Sequence, residues 1–461
     1  MTHTIPERLS QLRQAMQQHG IDACLIPSAD PHLSEYLPPR WQAREVFSGF
    51  TGSVATLVVT ADFAGLWVDS RYWEQAEIEL AGSGIQMMKI LSSATPAHIE
   101  WLASNLKANQ VLSVDGNVLS LASARMLQNA LYPKLVKIQT ESDLLQEVWL
   151  DRPALPTEKV YEHPAPYAVV SRREKLQQVR AAMAEKSAQW HFISTVDDIA
   201  WLLNLRGSDV NYNPVFVSHL LLSASSAVLF VPLDKVPAEV AQALAADDVQ
   251  LKPYADAAEA LSKLGAGEAI LIDPRRITFG FREAIAKHCK LFEAINPSVF
   301  LKSRKTPQEA QFVREAMEQD GAALCEFFAW FEDAMQDKTQ AISELTIDEK
   351  ICAARAAQAH FVCPSFGTIA GFNGNGAMPH YRATEKSYAQ IEGDGLLLID
   401  SGGQYFNGTT DITRVVGVGE VSNEQKHDFT LVLKGMIALS RMKFPHGTLS
   451  TTLDVIARAP I

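Results

Sequence analysis

Leu396-Leu397-Leu398-Ile399-Asp400-Ser401-Gly402-Gly403-Gln404-Tyr405-Phe406-Asn407-Gly408-Thr409-Thr410-Asp411-Ile412-Thr413-Arg414 is the stretch on which the reading of this chain turns. Four apolar residues run into an aspartate, a Gly/Asn-rich segment reverses the chain, and a β-branched run returns with a second aspartate. The pattern predicts a hairpin. Unpaired carboxylates resist burial beside a core, and for oxygen ligands the usual compensation is a hard metal ion. Asp400 and Asp411 are therefore candidate metal ligands. A two-residue Asn407-Gly408 turn places Gln404, not Asp400, opposite Asp411. The acids converge only if Gly402-Gly403 bends or bulges the strand, or if the loop is wider. The plainer reading is two aspartates near turns that cap or face water.

Bulk properties narrow the class. A length of 461 residues implies two to three domains at ~100–200 residues each. Hydrophobic content of 47% supplies ordinary globular cores. Lys+Arg total 41 against 53 Asp+Glu, a net charge of −12, which argues against nucleic-acid or anionic-membrane partners. No apolar run approaches the ~18–20 residues needed to span a bilayer. Met1–Gly20 is polar and amphipathic (Leu9, Leu12, Met16) and lacks a secretory core. Cys24, Cys289, Cys325, Cys352 and Cys363 are odd in number, with no Cys-x-x-Cys pair. They read as reduced thiols of a cytoplasmic protein.

Organisation follows the punctuation. Residues 1–150 alternate helix and strand: an opening helix, an apolar run Ala23–Ile26, and strands Val54–Thr60 and Gly65–Val68. Pro153, Pro156, Pro164 and Pro166 suit an extended linker. From Ser171 the scheme restarts. A helix Arg173–Lys186, a strand Trp190–Ile193, a helix capped by Thr195 and Asp197, Gly207, and strands Val215–Leu222 and Ala227–Val231 repeat the earlier order. That order predicts an internal duplication. A third block opens on the capping box Thr306-Pro307-Gln308-Glu309. A second box, Thr346-Ile347-Asp348-Glu349, starts another helix, and helices Glu424–Met442 and Leu449–Ala459 follow the hairpin.

Other motifs are weaker. Gly371-Phe372-Asn373-Gly374-Asn375-Gly376 matches neither the P-loop nor the dinucleotide fingerprint and reads as a loop. His380-Tyr381, between that loop and the hairpin, could reach a substrate, or could simply line the core or surface. His360 and Cys363 have half a zinc spacing without a second pair. Neither His-Glu-x-x-His nor Gly-x-Ser-x-Gly occurs.

Asp400-Ser401-Gly402-Gly403-Gln404-Tyr405 with Gly408–Arg414 closely resembles the first metal-ligand motif of the three-domain Xaa-Pro aminopeptidases, the aminopeptidase P branch of the creatinase-like, pita-bread metallopeptidases. Phe47–Ser53, Asp69–Tyr72, Asp198–Asp209, Tyr212–Phe216, Lys302–Lys305 and His380-Tyr381 look like the same family. The resemblance implies a fold of mixed α/β and α+β class. Two creatinase-type N-terminal domains, at 1–152 and 167–303, precede a pita-bread metallopeptidase domain at 306–461. It also implies two divalent ions, usually manganese, with Asp400 on one ion, Asp411 bridging both, and His380 lining the pocket to stabilise the carbonyl or shuttle a proton. The implied substrates are small peptides with proline at position two, and the implied assembly is a homodimer of the full-length chain. Two cations activate a bridging water and polarise the carbonyl. Proline makes the scissile bond a tertiary amide without an N–H, which metal-driven attack does not need.

The family's other ligands, a histidine in a His-Gly-x-Gly-His-like segment and two glutamates, should follow Asp411. His427, His446, Glu420 and Glu424 do not fit those places. The expectation is a chain truncated within the catalytic domain at Ile461, hydrolysing little or nothing, with a half domain that exposes an apolar sheet face. The alternatives are a metal-free pita-bread module that binds peptides or proteins, and prolidase- or creatinase-like chemistry on the same fold.

Overall fold

The opening helix Ile5–Gln18 begins where local chemistry demands. Thr4 and Glu7 form a capping box, a proline occupies the first turn, and Leu9, Leu12 and Met16 make the buried stripe. The computed structural model describes residues 4–91, 96–337 and 341–461; residues 1–3, 92–95 and 338–340 lie outside the described residues. The chain divides into two compact units. One comprises residues 1–321, 358–366 and 402–410, the other residues 322–357, 367–401 and 411–461.

The first unit holds two six-stranded sheets. β1 (Ala23–Pro27), β2 (Thr56–Thr60), β3 (Ala64–Val68), β4 (Gln86–Lys89), β5 (Val111–Ser113) and β6 (Lys137–Gln139) lie in the order β4-β3-β2-β1-β5-β6. β7 (Tyr161–Glu162) pairs with β9 (Leu205–Arg206). Around that ribbon, β8 (Trp190–Ile193), β10 (His219–Ser223), β11 (Ala227–Phe230), β12 (Val249–Lys252), β13 (Ala269–Ile272) and β14 (Lys290–Glu293) lie in the order β12-β11-β10-β8-β13-β14. Matching β1 to β8 and β2 to β10 makes order and strand directions coincide throughout, antiparallel at the hairpins and parallel at the crossovers. The duplication expected from the restart at Ser171 is present.

The two copies meet through equivalent positions. Val114-Asp115-Gly116-Asn117-Val118-Leu119-Ser120 and Ile272-Asp273-Pro274-Arg275-Arg276-Ile277-Thr278 each lead from a parallel strand to a helix N-cap. Ser120 bridges Thr278. Leu121 N–H donates to the Ile277 carbonyl at 3.0 Å, and Phe279 N–H to that of Leu119 at 2.7 Å. Ala122 N–H donates to the carbonyl of Pro274 and Gly280 N–H to that of Gly116, both at 2.8 Å. The exchange is pairwise reciprocal, as across a local two-fold axis.

Several boundaries shift for identifiable reasons. Val215–Ser218 lies outside the ladder because Asp209 engages its backbone: Val217 N–H donates to Asp209 Oδ2 at 2.7 Å, and the Val215 carbonyl accepts from Asp209 N–H at 3.2 Å. The helix Arg172–Glu185 starts at the Ser171/Glu174 capping box. Thr195 flanks its helix without capping it, because its hydroxyl donates to Asp198 instead. The proline-rich linker is tied down, with Val160 fully buried and its N–H on the Lys235 carbonyl. The helix expected from Thr346 instead spans Glu344–Ala356, since Ser343 caps it with Thr346 as the reciprocal partner.

Further along lie β15 (Phe361–Pro364), β16 (Ile369–Phe372), β17 (Gly395–Ser401), β18 (Gly403–Tyr405), β19 (Gly408–Thr409) and β20 (Ile412–Val418). β15-β18-β19 belongs to the first unit, and β16-β17-β20 is the sheet of the second. Leu397 and Ile399 of β17 pack with Phe327, Phe331, Ile347 and Ile351. The exposed apolar surface lies on a helix rather than on the sheet face expected. Phe429, Val432, Leu433, Met436 and Ile437 recur at helical spacing along Asn423–Arg441 and are all exposed, whereas Leu396, Leu398, Val415 and Val416 are half-buried. The Ser422/Gln425 capping box fixes where that helix starts.

Asp209 and Lys235 form an ion pair with both side chains wholly buried. Removing one partner strands the other charge. Lys235→Met is expected to cost about 3–5 kcal/mol, read as a lowered urea midpoint, with part of the loss restored by adding Asp209→Asn.

Candidate metal centre

β17 is the middle strand of the second unit's sheet. Asp400 sits in its last ladder positions, paired with Ile369 on one side and Thr413 on the other. Side chains alternate along a strand, so Thr413 and Asp411, two residues apart, face the same side as Asp400. The two acids converge. Asp400 interacts with the side chains of Thr413 and Asp411. Its Oδ1 is buried without a hydrogen-bond partner, while Asp411 is exposed. Burial pushes the Asp400 carboxyl above its ordinary range and the Asp411 charge adds to this, while Thr413 and the nearby His380 act the other way.

The turn differs from the sequence expectation by one residue. Tyr405 pairs with Gly408 and Gln404 with Thr409, so Phe406-Asn407 makes the turn. Moving a two-residue turn by one position moves each cross-strand partner by two residues and keeps the faces, so Asp400 comes opposite Thr413, only two residues from Asp411. The helix Pro307–Gln336 sets this register: Asn407 Nδ2 donates to Gln319 Oε1 at 3.0 Å, and a Cβ on Gly408 would sit 3.0 Å from that of Ala316. Gly402 is obligatory, because a Cβ there would lie 2.0 Å from the Thr410 carbonyl oxygen.

His380 is exposed and near enough for its charge to act on Asp400. Its segment is anchored by Glu344, which sequence reasoning missed. The Glu344 carboxylate is fully buried. Oε1 accepts from Phe372 N–H at 2.7 Å and Asn375 Nδ2 at 3.0 Å. Oε2 accepts from the Tyr381 hydroxyl and Ala389 N–H, both at 2.7 Å. An acid in a helix's first turn is so ordinary that no sequence signal distinguishes this one. Gly371 and Gly376 pack against one another, since a Cβ on Gly371 would meet the Gly376 nitrogen at 2.7 Å, whereas one on Gly374 would meet nothing within 4 Å. His360 contacts the Tyr167 hydroxyl at 3.0 Å, and Cys363 lies in β15, so they form no metal pair.

The chemistry of the pair fits a divalent cation: two carboxylates on one face, one with an orphaned buried oxygen. Among the described residues no group of three or more His, Cys, Asp or Glu side chains could hold a metal ion, so the fit rests on Asp400 and Asp411.

Comparison with known proteins extends this. Residues 8–148 and 151–309 each match a creatinase/prolidase N-terminal domain, and residues 311–461 match metallopeptidase family M24. A probable Xaa-Pro aminopeptidase P of Paracoccidioides brasiliensis (strain Pb03) is 35% identical over 468 residues, covering 98% of this chain and 75% of that protein. One from Aspergillus flavus is 37% identical over 465 residues, covering 98% and 70%. The crystal structure of an X-prolyl aminopeptidase from Caenorhabditis elegans, described as a cytosolic enzyme with a di-nuclear active site, superposes with a TM-score of 0.92. It is 28% identical, with 99% of this chain and 77% of that one covered.

Two outcomes are expected. Glu344→Leu leaves four donors without their acceptor at about 1–3 kcal/mol each, so urea unfolding should show a loss of at least about 3 kcal/mol. Asp400, its carboxyl raised in the fold, stabilises the metal-free chain only while protonated. The melting temperature should therefore fall as pH rises through that ionisation. Saturating Mn2+ should remove the fall, and Asp400→Asn should remove both the fall and the Mn2+ effect.

Proposed function

The chain belongs to the Xaa-Pro aminopeptidase P family, and from that premise we propose that the Asp400–Asp411 face is the metal-holding part of its active site. The family reaction is metal-dependent hydrolysis that releases the N-terminal residue of a peptide with proline second. Bound divalent ions supply an activated water and polarisation of the scissile carbonyl. The single observation that carries the assignment is the buried, unpartnered Asp400 Oδ1 beside Asp411.

The residues divide the work. Asp400, held by Thr413, presents its free oxygen inward, and Asp411 offers an exposed carboxylate on the same face. His380, exposed and fixed through Tyr381 and Glu344, is placed to meet the substrate carbonyl oxygen or to carry a proton on its ring. Carboxylate donors suit manganese, which we take as the metal. The cellular site we propose is the cytoplasm. Supporting it are five free cysteines, the description of the C. elegans enzyme, and the finding that no helix among the described residues is long and apolar enough to cross a membrane. A homodimer is supported by the exposed stripe Phe429–Ile437. A metal-free binding module is disfavoured, because such a module has no use for an orphaned carboxylate oxygen beside a second acid.

The test compares Arg-Pro-Pro with Arg-Ala-Pro in Mn2+. Mn2+ should bind the wild-type chain but neither Asp400→Ala nor Asp411→Ala, and whatever arginine is released, little by the expectation above, should come only from the first peptide. Equal release from both peptides, release undiminished in both variants, or undiminished Mn2+ binding in both variants removes the assignment.

A further inference from the structure

Away from the metal face, the first unit contains a cleft of ≈ 350 Å³ walled by Tyr161, Tyr167, Trp201, Phe312 and Phe406, with Arg206 also lining it. That volume is within the range of small-molecule sites. Its charge is not balanced. Arg206 Nη1 donates to the carbonyls of Leu205 (2.9 Å) and Ala200 (3.2 Å), while its Nε and Nη2 have no acceptor among the described residues. Behind Trp201, 4.4 Å from its ring centroid, lies the Lys175 ammonium on a side chain 4% exposed. It donates to the Trp201 carbonyl and to Asn204 Oδ1. Neither cation has a carboxylate partner among the described residues.

The surroundings sharpen the imbalance. His163 also lines the cleft, and its Nδ1 is buried with no hydrogen-bond partner. Burial first, then the Arg206 and Lys175 charges, push that imidazole down to about 3. Burial and Arg206 lower Lys175 to about 7, with Glu309 opposing. Glu309, the acid of the lining, is engaged on Thr306 N–H as a helix cap. Lys302 at the rim is already paired with Asp197 and Asp198. A guanidinium without a carboxylate and an orphaned imidazole nitrogen beside a cavity are costly to the protein alone, and an anion in the cavity relieves both. A guanidinium with two free donors fits a carboxylate, and five aromatic walls fit an apolar or aromatic body.

We propose that this cleft binds a small organic carboxylate carrying an apolar or aromatic group, held by Arg206 with the ring systems of Trp201, Tyr167 and Phe406 around its body. Because the ligand needs none of Asp400, Asp411 or His380, the proposal stands independently of the metal assignment.

The probe is 3-phenylpropionate, titrated calorimetrically into the 461-residue chain, with neutral 3-phenylpropionamide and inorganic phosphate as the other arms. Saturable binding of the carboxylate is expected, with the amide and phosphate each at least about tenfold weaker and Arg206→Gln weakening the carboxylate by about tenfold or more. Repeating the wild-type titration at pH 8 in buffers of different ionisation enthalpy should show net proton uptake, as the bound anion restores the charge on Lys175. That reading needs no variant to fold. Three results overturn the proposal: amide binding as tight as the carboxylate, phosphate binding equally well and displacing it, or neither heat nor a shift in melting temperature at millimolar carboxylate.

Discussion

A carboxylate sealed away from water must be met by donors, and Glu344 is met by four. Those four come from separate places: the end of β16, the glycine-rich loop, the Tyr381 hydroxyl and the backbone at Ala389. One side chain on a helix thereby fixes a long irregular excursion that no regular ladder could hold. His380 rides on that excursion, next to one of its pinned residues. The position of an exposed imidazole is thus set from the interior, by a carboxylate sealed from solvent. This is the usual economy of sites built on loops, where precision comes from the support beneath them.

The same electrostatic logic recurs with different outcomes. Asp209 and Lys235 are buried and matched. Arg44, 5% exposed, is satisfied by carbonyls: it reaches those of Phe50 and Gly52 and the Ser28 hydroxyl, holding Phe47–Ser53 in place, and burial lowers it to about 10. Asp400 is left with an open oxygen, and Arg206 with open donors. Satisfied buried charges organise the fold, and a group left without a partner beside a second acid or a cleft is a candidate for an outside ligand.

Much of the architecture was legible in the sequence because it rests on local rules. Periodicity gave the opening helix, capping boxes gave helix starts, and the restart after Ser171 gave the duplication. The candidate metal ligands Asp400 and Asp411 were legible from residue type and setting, but their geometry was not. The turn at Phe406-Asn407 is selected by Gln319 and Ala316, about ninety residues upstream, and local turn chemistry carries no trace of them. Glu344 was invisible for the same reason, since its four partners assemble only in the fold. Val215–Ser218 read as strand because most of its side chains are apolar, yet Asp209 engages the Val217 N–H and the Val215 carbonyl. Each miss is a case of a distant group overriding a local preference.

The reciprocal backbone exchange between Leu119–Ala122 and Ile277–Gly280 has an evolutionary corollary. Matching surfaces that bond each to the other through equivalent atoms are what two separate copies of one polypeptide form when they associate. Here both copies lie on one chain, so a meeting that once depended on abundance became a matter of tether length. A substitution at such a surface in a free pair alters both partners at once, whereas after fusion it alters only one. Gly116 and Pro274, which hold corresponding places in the contact, show that freedom in use. Each half could then change its chemistry while the other kept the join: Trp201 and Arg206 of the aromatic-lined cleft come from the second half, and none of its lining residues comes from the first.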